Sequence, residues 1–235
     1  MNKKQIQFNY KINPENTFTS GMSNGGFMSY TLGCEKADIF KAIASITGTM
    51  SGKDWKNCNP SQKIPALQIS GTNDTTVPWD GTMSTAYGWG GAPHIQKVMD
   101  FWADLNSTTK TEKIDFPDIE SSDKSTASLT KRTDGINGNE VWFYTISGGG
   151  HDWPGAYGNM DINASEVVWD FFNDFSLRYN IGDIDFNGSI DVIDLLLISD
   201  EVLFNMDYNF LSDCNNDDLV DINDLFAILS MVLGY

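Results

Sequence analysis

Phe18-Thr-Ser-Gly-Met-Ser-Asn-Gly-Gly-Phe27 is the stretch on which the reading of this chain turns. Within it, Gly21-Met22-Ser23-Asn24-Gly25 has the pattern G-x-S-x-G. A serine hydroxyl attacks a carbonyl only when it is exposed, bonded to a base and close to donors for the developing oxyanion. A sharp turn from strand into helix meets those needs. It lifts Ser23 Oγ above a sheet and leaves the N–H of Asn24 free to donate. The flanking glycines read as positions where the turn has no room for a Cβ. Thr17-Phe-Thr-Ser20 reads as the short strand before the turn, and Phe27 to Cys34 as the apolar start of the helix after it. The pattern alone is a weak signal, because a glycine-rich loop with a bystander serine spells it too.

The 235 residues, 40% of them hydrophobic, allow one domain or one domain plus a small module. A net charge of −17 argues against nucleic acid and anionic membranes as partners. No apolar run is long enough to span a bilayer, and Met1-Asn-Lys-Lys is not followed by the apolar stretch of a signal peptide. Cys34, Cys58 and Cys214 lack the spacing of a zinc site. The charge is unevenly placed: residues 181–235 hold twelve acids and no Lys or Arg, whereas the first 180 hold twenty acids and all fifteen bases. That shift marks a boundary near Tyr179-Asn-Ile-Gly182 and divides the chain into 1–180 and 181–235.

In the first part, Lys41–Thr47, Ile64–Ser70 and Glu140–Ser147 read as strands. His94–Leu105 and Ala164–Leu177 have helical spacing. Residues 106–139 are polar and read as irregular chain with one strand at Ser128–Arg132. Strands alternating with helices imply a parallel α/β sheet. Ser23, Asp74 and His151 each lie just past the carboxyl end of a strand, where open α/β sheets place their sites. Their order, Ser, Asp, His, is that of the α/β-hydrolases. His94 stands where a helix begins and reads as a surface or capping residue. Asp80 and Asp152 compete with Asp74 for the role of acid, the first further from the strand end, the second needing to fold back toward its neighbour.

Four segments resemble one esterase family, which includes polyhydroxybutyrate depolymerases, feruloyl esterases and acetylxylan esterases. They are Gly21-Met-Ser-Asn-Gly-Gly26, Cys58-Asn-Pro60, Gly71-Thr-Asn-Asp-Thr-Thr-Val-Pro78 and Gly148-Gly-Gly-His-Asp-Trp-Pro-Gly155. The last is close to the family signature G-G-G-H-x-W-P-G, and the likeness runs over residues 12–177. It implies a serine carboxylic ester hydrolase with nucleophile Ser23, base His151, acid Asp74 and an oxyanion donor at Asn24. His151 would take the proton of Ser23, an acyl-enzyme would form, and water would release it. The resemblance also implies that Cys34 and Cys58 pair, which goes with export; the alternative is two reduced, buried thiols. One departure stands out. The family carries further strands and an upstream His-Gly segment before the nucleophile, yet only 22 residues precede Ser23. The chain therefore reads as an α/β-hydrolase fold truncated at its amino end. Met1–Lys11 would be the end of the helix before the nucleophile strand, and that strand would be an exposed edge.

The acidic tail carries a separate signal. Asp183-Ile-Asp-Phe-Asn-Gly-Ser-Ile-Asp-Val-Ile-Asp194 places oxygen donors at the positions a calcium loop uses: Asp183, Asp185, Asn187, the Ser189 carbonyl, Asp191 and Asp194, with Gly188 at the sharp turn. Thirty residues on, Asp213, Asn215, Asp217, the Leu219 carbonyl, Asp221 and Asp224 repeat the set. Apolar runs at Leu195–Ile198 and Leu225–Leu229 follow the loops, which an acidic disordered tail would lack. Asp in place of Glu at the last position, with a helix after each loop, resembles a dockerin. That resemblance implies a small all-α module binding two Ca²⁺ ions and a cohesin-type scaffold protein as partner. Asp218 stands where the second loop would have glycine. Ser199, Asp200, Leu229 and Ser230 stand where dockerins often carry basic residues.

Together the two resemblances imply a secreted esterase acting on plant cell-wall polysaccharide esters, feruloyl or acetyl groups on xylan. Two other readings stay open. One is a polyester depolymerase. The other is a catalytically inactive fragment whose working part is the calcium-dependent interaction module.

Overall fold

The computed structural model describes residues 16–81, 91–176, 181–185, 189–204, 209 and 211–234. These fall into two compact units, one within 16–176 and one within 181–234. The first unit holds strands β1 (Thr19–Met22), β2 (Ile43–Ile46), β3 (Ala66–Gly71), β4 (Lys110–Asp115), β5 (Thr126–Thr133) and β6 (Val141–Ser147). Its helices are α1 (Asn24–Glu35), α2 (Gly52–Asn57), α3 (Ile95–Leu105) and α4 (Ala164–Asp174). The strands form one sheet in the order β1-β2-β3-β6-β5-β4. β1, β2, β3 and β6 are parallel, while β5 joins β6 and β4 joins β5 in antiparallel pairs.

β2 and β3 are buried at every residue, as strands covered on both faces must be. Alternate side chains therefore feed two cores. On one face Ala44, Ile46, Leu67, Ile69, Trp142, Tyr144 and Ile146 pack with Val168 and Phe171 of α4. On the other, Ile43, Ala66, Val141 and Phe143 pack with Tyr30 of α1 and with Val98, Met99 and Trp102 of α3. α3 buries Ile95, Val98, Met99, Trp102 and Ala103, the spacing of one helical face. His94 caps that helix, its Nδ1 accepting from the N–H of Gln96 at 3.1 Å.

The structure corrects the sequence reading at residues 106–139, which hold a two-stranded hairpin rather than a single strand, so the sheet is mixed. β4 could not be seen by pattern because all six of its residues are exposed. An edge strand wet on both faces needs no apolar alternation, and its Lys110, Glu112 and Lys113 suit an edge that must not pair further. β5 does alternate, burying Ala127 and Leu129. The expected helix in Met1–Lys11 and the last residue of Ala164–Leu177 lie outside the described residues.

The sulfurs of Cys34 and Cys58 are bonded, with Cα atoms 5.0 Å apart and a sequence separation of 24. The bridge ties the end of α1 to the loop after α2. Closing a loop of this length removes about 3 kcal/mol of freedom from the unfolded chain. Replacing both cysteines by alanine should therefore lower the unfolding free energy of this unit by about 3 kcal/mol. Denaturant titration monitored by tryptophan fluorescence would read it, and an unshifted midpoint would contradict the assignment.

Candidate active site

Ser23 sits between β1 and α1 with φ 53° and ψ −116°, a conformation that costs a non-glycine residue roughly 1–3 kcal/mol. The surroundings impose it. The N–H of Ser23 donates to the carbonyl of Ile46 at 2.8 Å, so the sheet register continues into the turn. The Ser23 carbonyl accepts from the N–H of Phe27 and opens α1. Its hydroxyl makes no cap hydrogen bond and so is not committed to the helix. Asn24 is the first residue of α1, and an N–H at that position has no acceptor within the helix.

The crowding differs from the sequence reading in one detail. A Cβ on Gly21 would stand 2.6 Å from the carbonyl carbon of Gly25, but one on Gly25 would meet open space. The second tight position is Gly26, where a Cβ would meet Ser45 Oγ at 2.5 Å. Gly48, just past β2, completes the fit: a Cβ there would stand 2.7 Å from both Gly26 Cα and the Ser23 carbonyl oxygen.

Asp74 and His151 are brought together. His151 Nδ1 lies 2.7 Å from Asp74 Oδ2, and the Asp74 side chain is only 2% exposed. The carboxylate is fixed from behind, its Oδ1 accepting from the N–H groups of Thr76 and Val77, each at 2.8 Å. With a carboxylate as its partner, Nδ1 carries the proton of this bond, and Nε2 is the ring nitrogen outside it. Asp152, the rival acid, instead accepts from the Gly150 N–H at 2.9 Å. A hollow of about 480 Å³ opens beside Asp74, lined by Pro78 and Trp79 among others.

The loops carrying Asp74 and His151 meet backbone to backbone. The Asn73 N–H donates to the Gly149 carbonyl at 2.9 Å, and the Gly148 N–H donates to Thr72 Oγ1 at 2.9 Å. A Cβ on Gly71 would run into the carbonyl oxygens of Gly149 and Gly150. Ser23 follows β1, Asp74 follows β3 and His151 follows β6. Because those strands are parallel, all three residues stand at the same carboxyl edge of the sheet. No single-residue sequence signal marked Gly48 or Gly71, since their role depends on which backbones pass them.

The second unit holds helices α5 (Val192–Phe204) and α6 (Ile222–Leu233), one after each acidic loop. Asp183, Asp185 and Asp194 each offer an oxygen, and the three atoms lie within 4.8 Å of one another. Oxygens that share one Ca²⁺ at about 2.4 Å can be no further apart than that, so the donors fit the ion. The carboxylates of the second loop form no group that close among the described residues. Asn187 and Gly188 lie outside the described residues. Ser189 and Leu219 are exposed.

The last acid of each loop also has a structural task that the sequence reading missed. Asp194 accepts from the N–H groups of Ile184, Asp185 and Asp191, and Asp224 from those of Asn215 and Asp221. Asp191 and Asp221 accept from the N–H groups of Ile193 and Asn223 at the helix starts, and Asp221 with Asp224 forms a capping box. The D-x-x-D spacing was the signal available. Asp213 accepts from the N–H groups of Asp217 and Asp218, and Asn215 Oδ1 from Asp217. Asp217 accepts from Leu219. Asp218 has φ 68°, the left-handed geometry its loop position asks for. The Cys214 thiol is pushed up to about 12, by burial first and then by the carboxylates of Asp224, Asp213, Asp194 and Glu201.

Alanine at Gly71 should force the two loops apart and break the bond between His151 and Asp74. The checkable signal is the imidazole N–H proton of His151, shifted far downfield by its carboxylate partner. Gly71→Ala and Asp74→Asn should both remove it, and its survival in Gly71→Ala would show that the glycine contact does not hold the pair.

Comparison with known proteins places these observations in context. The chain is 28% identical over 178 residues to feruloyl esterase B of Piromyces equi, covering 74% of this chain and 30% of that protein. It is 29% identical over 170 residues to the probable feruloyl esterase C of Aspergillus niger, covering 72% and 54%. A putative esterase, NocK, of Nocardia uniformis is 26% identical over 157 residues, covering 62% and 44%. The chain thus spans between 30% and 54% of the length of these curated relatives. Among solved structures, the acetyl xylan esterase from Aspergillus awamori aligns with a TM-score of 0.46 at 12% identity, covering 74% of this chain and 64% of that one. No family model matches.

Proposed function

We propose that the chain is a serine carboxylic ester hydrolase for plant cell-wall esters, feruloyl or acetyl groups on xylan. Its machinery is Ser23 as nucleophile, His151 as base and Asp74 as the acid that orients it. The observation that carries this reading is the hydrogen bond from His151 Nδ1 to the buried Asp74, at the same sheet edge as the strained turn of Ser23. The relatives, two of them bearing feruloyl esterase names, support the substrate class. In the reaction, His151 Nε2 takes the proton from Ser23 Oγ as that oxygen attacks the ester carbonyl. Asp74 stabilises the imidazolium that results, and the Asn24 N–H donates to the oxyanion. The imidazolium then returns the proton to the departing alcohol. Water, deprotonated by the same nitrogen, releases the acid and frees Ser23. The disulfide between Cys34 and Cys58 supports a secreted protein.

The second unit is proposed to bind calcium in both loops, as a dockerin-like module. Asp183, Asp185, Asp191 and Asp194, with Asn187 and the Ser189 carbonyl, would hold one ion. Asp213, Asn215, Asp217, Asp221 and Asp224, with the Leu219 carbonyl, would hold the other. Bound Ca²⁺ would cancel part of the mutual repulsion of these acids and add its binding free energy to folding. Exposed Val192, Leu196, Ile222 and Phe226 on α5 and α6 support a protein partner, a cohesin-type scaffold by the same resemblance.

Two outcomes test this reading. Ser23→Ala should reduce turnover of methyl ferulate or acetylated xylan at least about a thousandfold, and hydrolysis that survives the substitution would refute the nucleophile. Chelation should lower helicity and raise hydrogen exchange within 181–234 while leaving 16–176 unchanged. Calorimetry showing no Ca²⁺ binding below millimolar would end the calcium reading.

A further inference from the structure

Tyr157 lies on the loop that runs from His151 to α4, and the residue is 49% exposed. An exposed tyrosine on a loop would normally sample several rotamers, but this one is held at both ends. Its hydroxyl is 3.1 Å from Met22 Sδ, and Met22 immediately precedes Ser23. Its N–H and that of Ala156 both donate to the Trp153 carbonyl, at 3.1 and 3.0 Å. The Gly155 N–H donates to the Asn159 carbonyl at 2.9 Å, closing the loop on itself. Gly158, with φ +79°, passes so close to Asp152 that a Cβ would strike its carboxylate. Asp152 is anchored in turn to the N–H of Gly150. Tyr157 therefore keeps a fixed place relative to His151 through Asp152, and relative to Ser23 through Met22.

The chemistry described so far gives this side chain no role. Its hydroxyl is spent on a thioether, a weak acceptor, and Trp153, Asp152 and Gly158 already hold the loop. What remains is a flat, partly apolar surface, held still, beside the residue before the nucleophile. Rigid aromatic surfaces of this kind bind rings by stacking at small entropic cost.

We propose that Tyr157 determines specificity by stacking on a ring of the ester substrate as its carbonyl reaches Ser23. The inference rests on the hydrolase reading above and adds the residue that selects the substrate. The ring can belong to an aromatic acyl group or to the sugar that bears the ester, and the choice of ester separates them.

The test compares wild type with Tyr157→Phe, Tyr157→Leu and Tyr157→Ala on three esters. Methyl ferulate has its ring in the acyl group, acetylated methyl xyloside in the alcohol, and ethyl acetate has none. Trp169→Ala, an exposed tryptophan on α4, is the control and should match wild type. The preference in kcat/KM for one ring-bearing ester over ethyl acetate should fall about three- to tenfold in the Leu and Ala variants. It should fall by less in Tyr157→Phe, which keeps the flat face and loses only the hydroxyl contact with Met22. The ester that loses its advantage identifies the ring. An unchanged preference for both ring-bearing esters overturns the proposal. In parallel, binding of methyl ferulate and methyl xyloside to Ser23→Ala and to Ser23→Ala/Tyr157→Leu is measured by calorimetry. Tyr157-dependent ring binding without Ser23-dependent turnover would refute the hydrolase reading and keep the stacking role. Turnover with no dependence on Tyr157 would do the reverse.

Discussion

At the carboxyl edge of the sheet, main chain meets main chain with no side chain between. Gly71 lies against the carbonyls of Gly149 and Gly150, and Gly48 lies against Gly26 and the carbonyl of Ser23. Backbone cannot rotate out of the way as a side chain can, so these contacts fix separations to within tenths of an ångström. The first contact sets where the loops carrying Asp74 and His151 meet, and the second where the turn at Ser23 passes the end of β2. The two cores beneath resist the strain, because β2 and β3 are buried on both faces and cannot shift without opening a cavity.

Much of this was legible in the sequence, and the reasons are specific. The turn at Ser23 was legible because a short strand and an apolar helix start flank the G-x-S-x-G pattern, which alone is a weak signal. His151 stood out as one of two histidines, placed after three glycines at a strand end. Asp74 was preferred to Asp152 because Asp152 would have to fold back toward its neighbour; in the structure Asp152 accepts from the Gly150 N–H and Asp74 lies against His151. What stayed hidden was whatever depends on contact between distant segments. Gly48 and Gly71 look like any loop glycine until the backbones that pass them are known. β4 was hidden for another reason, since a strand with no buried face carries no period to detect.

In the acidic unit the residues that would hold the proposed Ca²⁺ ions already have bonds of their own. Asp191 and Asp221 cap the helices that follow them, and Asp194 and Asp224 gather backbone N–H groups at the same place. A carboxylate held by N–H donors is oriented before any ion arrives, which lowers the cost of assembling a coordination shell. The same bonds occupy lone pairs that an ion would otherwise use. At the last two acids of each loop, spacing alone therefore could not separate a helix cap from a metal ligand.

The exposed strand β4 has a consequence between molecules rather than within one. A sheet that stopped at β5 would present Ala127 and Leu129 on a strand with unpaired amides, a surface that welcomes the same strand from another copy. β4 covers those amides and replaces them with an outer row flanked by Lys110, Glu112 and Lys113. A second copy approaching this edge would have to strip water from charges before it gained a single hydrogen bond. At this edge the hairpin opposes pairing between copies, and the polar sequence that concealed it from pattern reading is what supplies the charges.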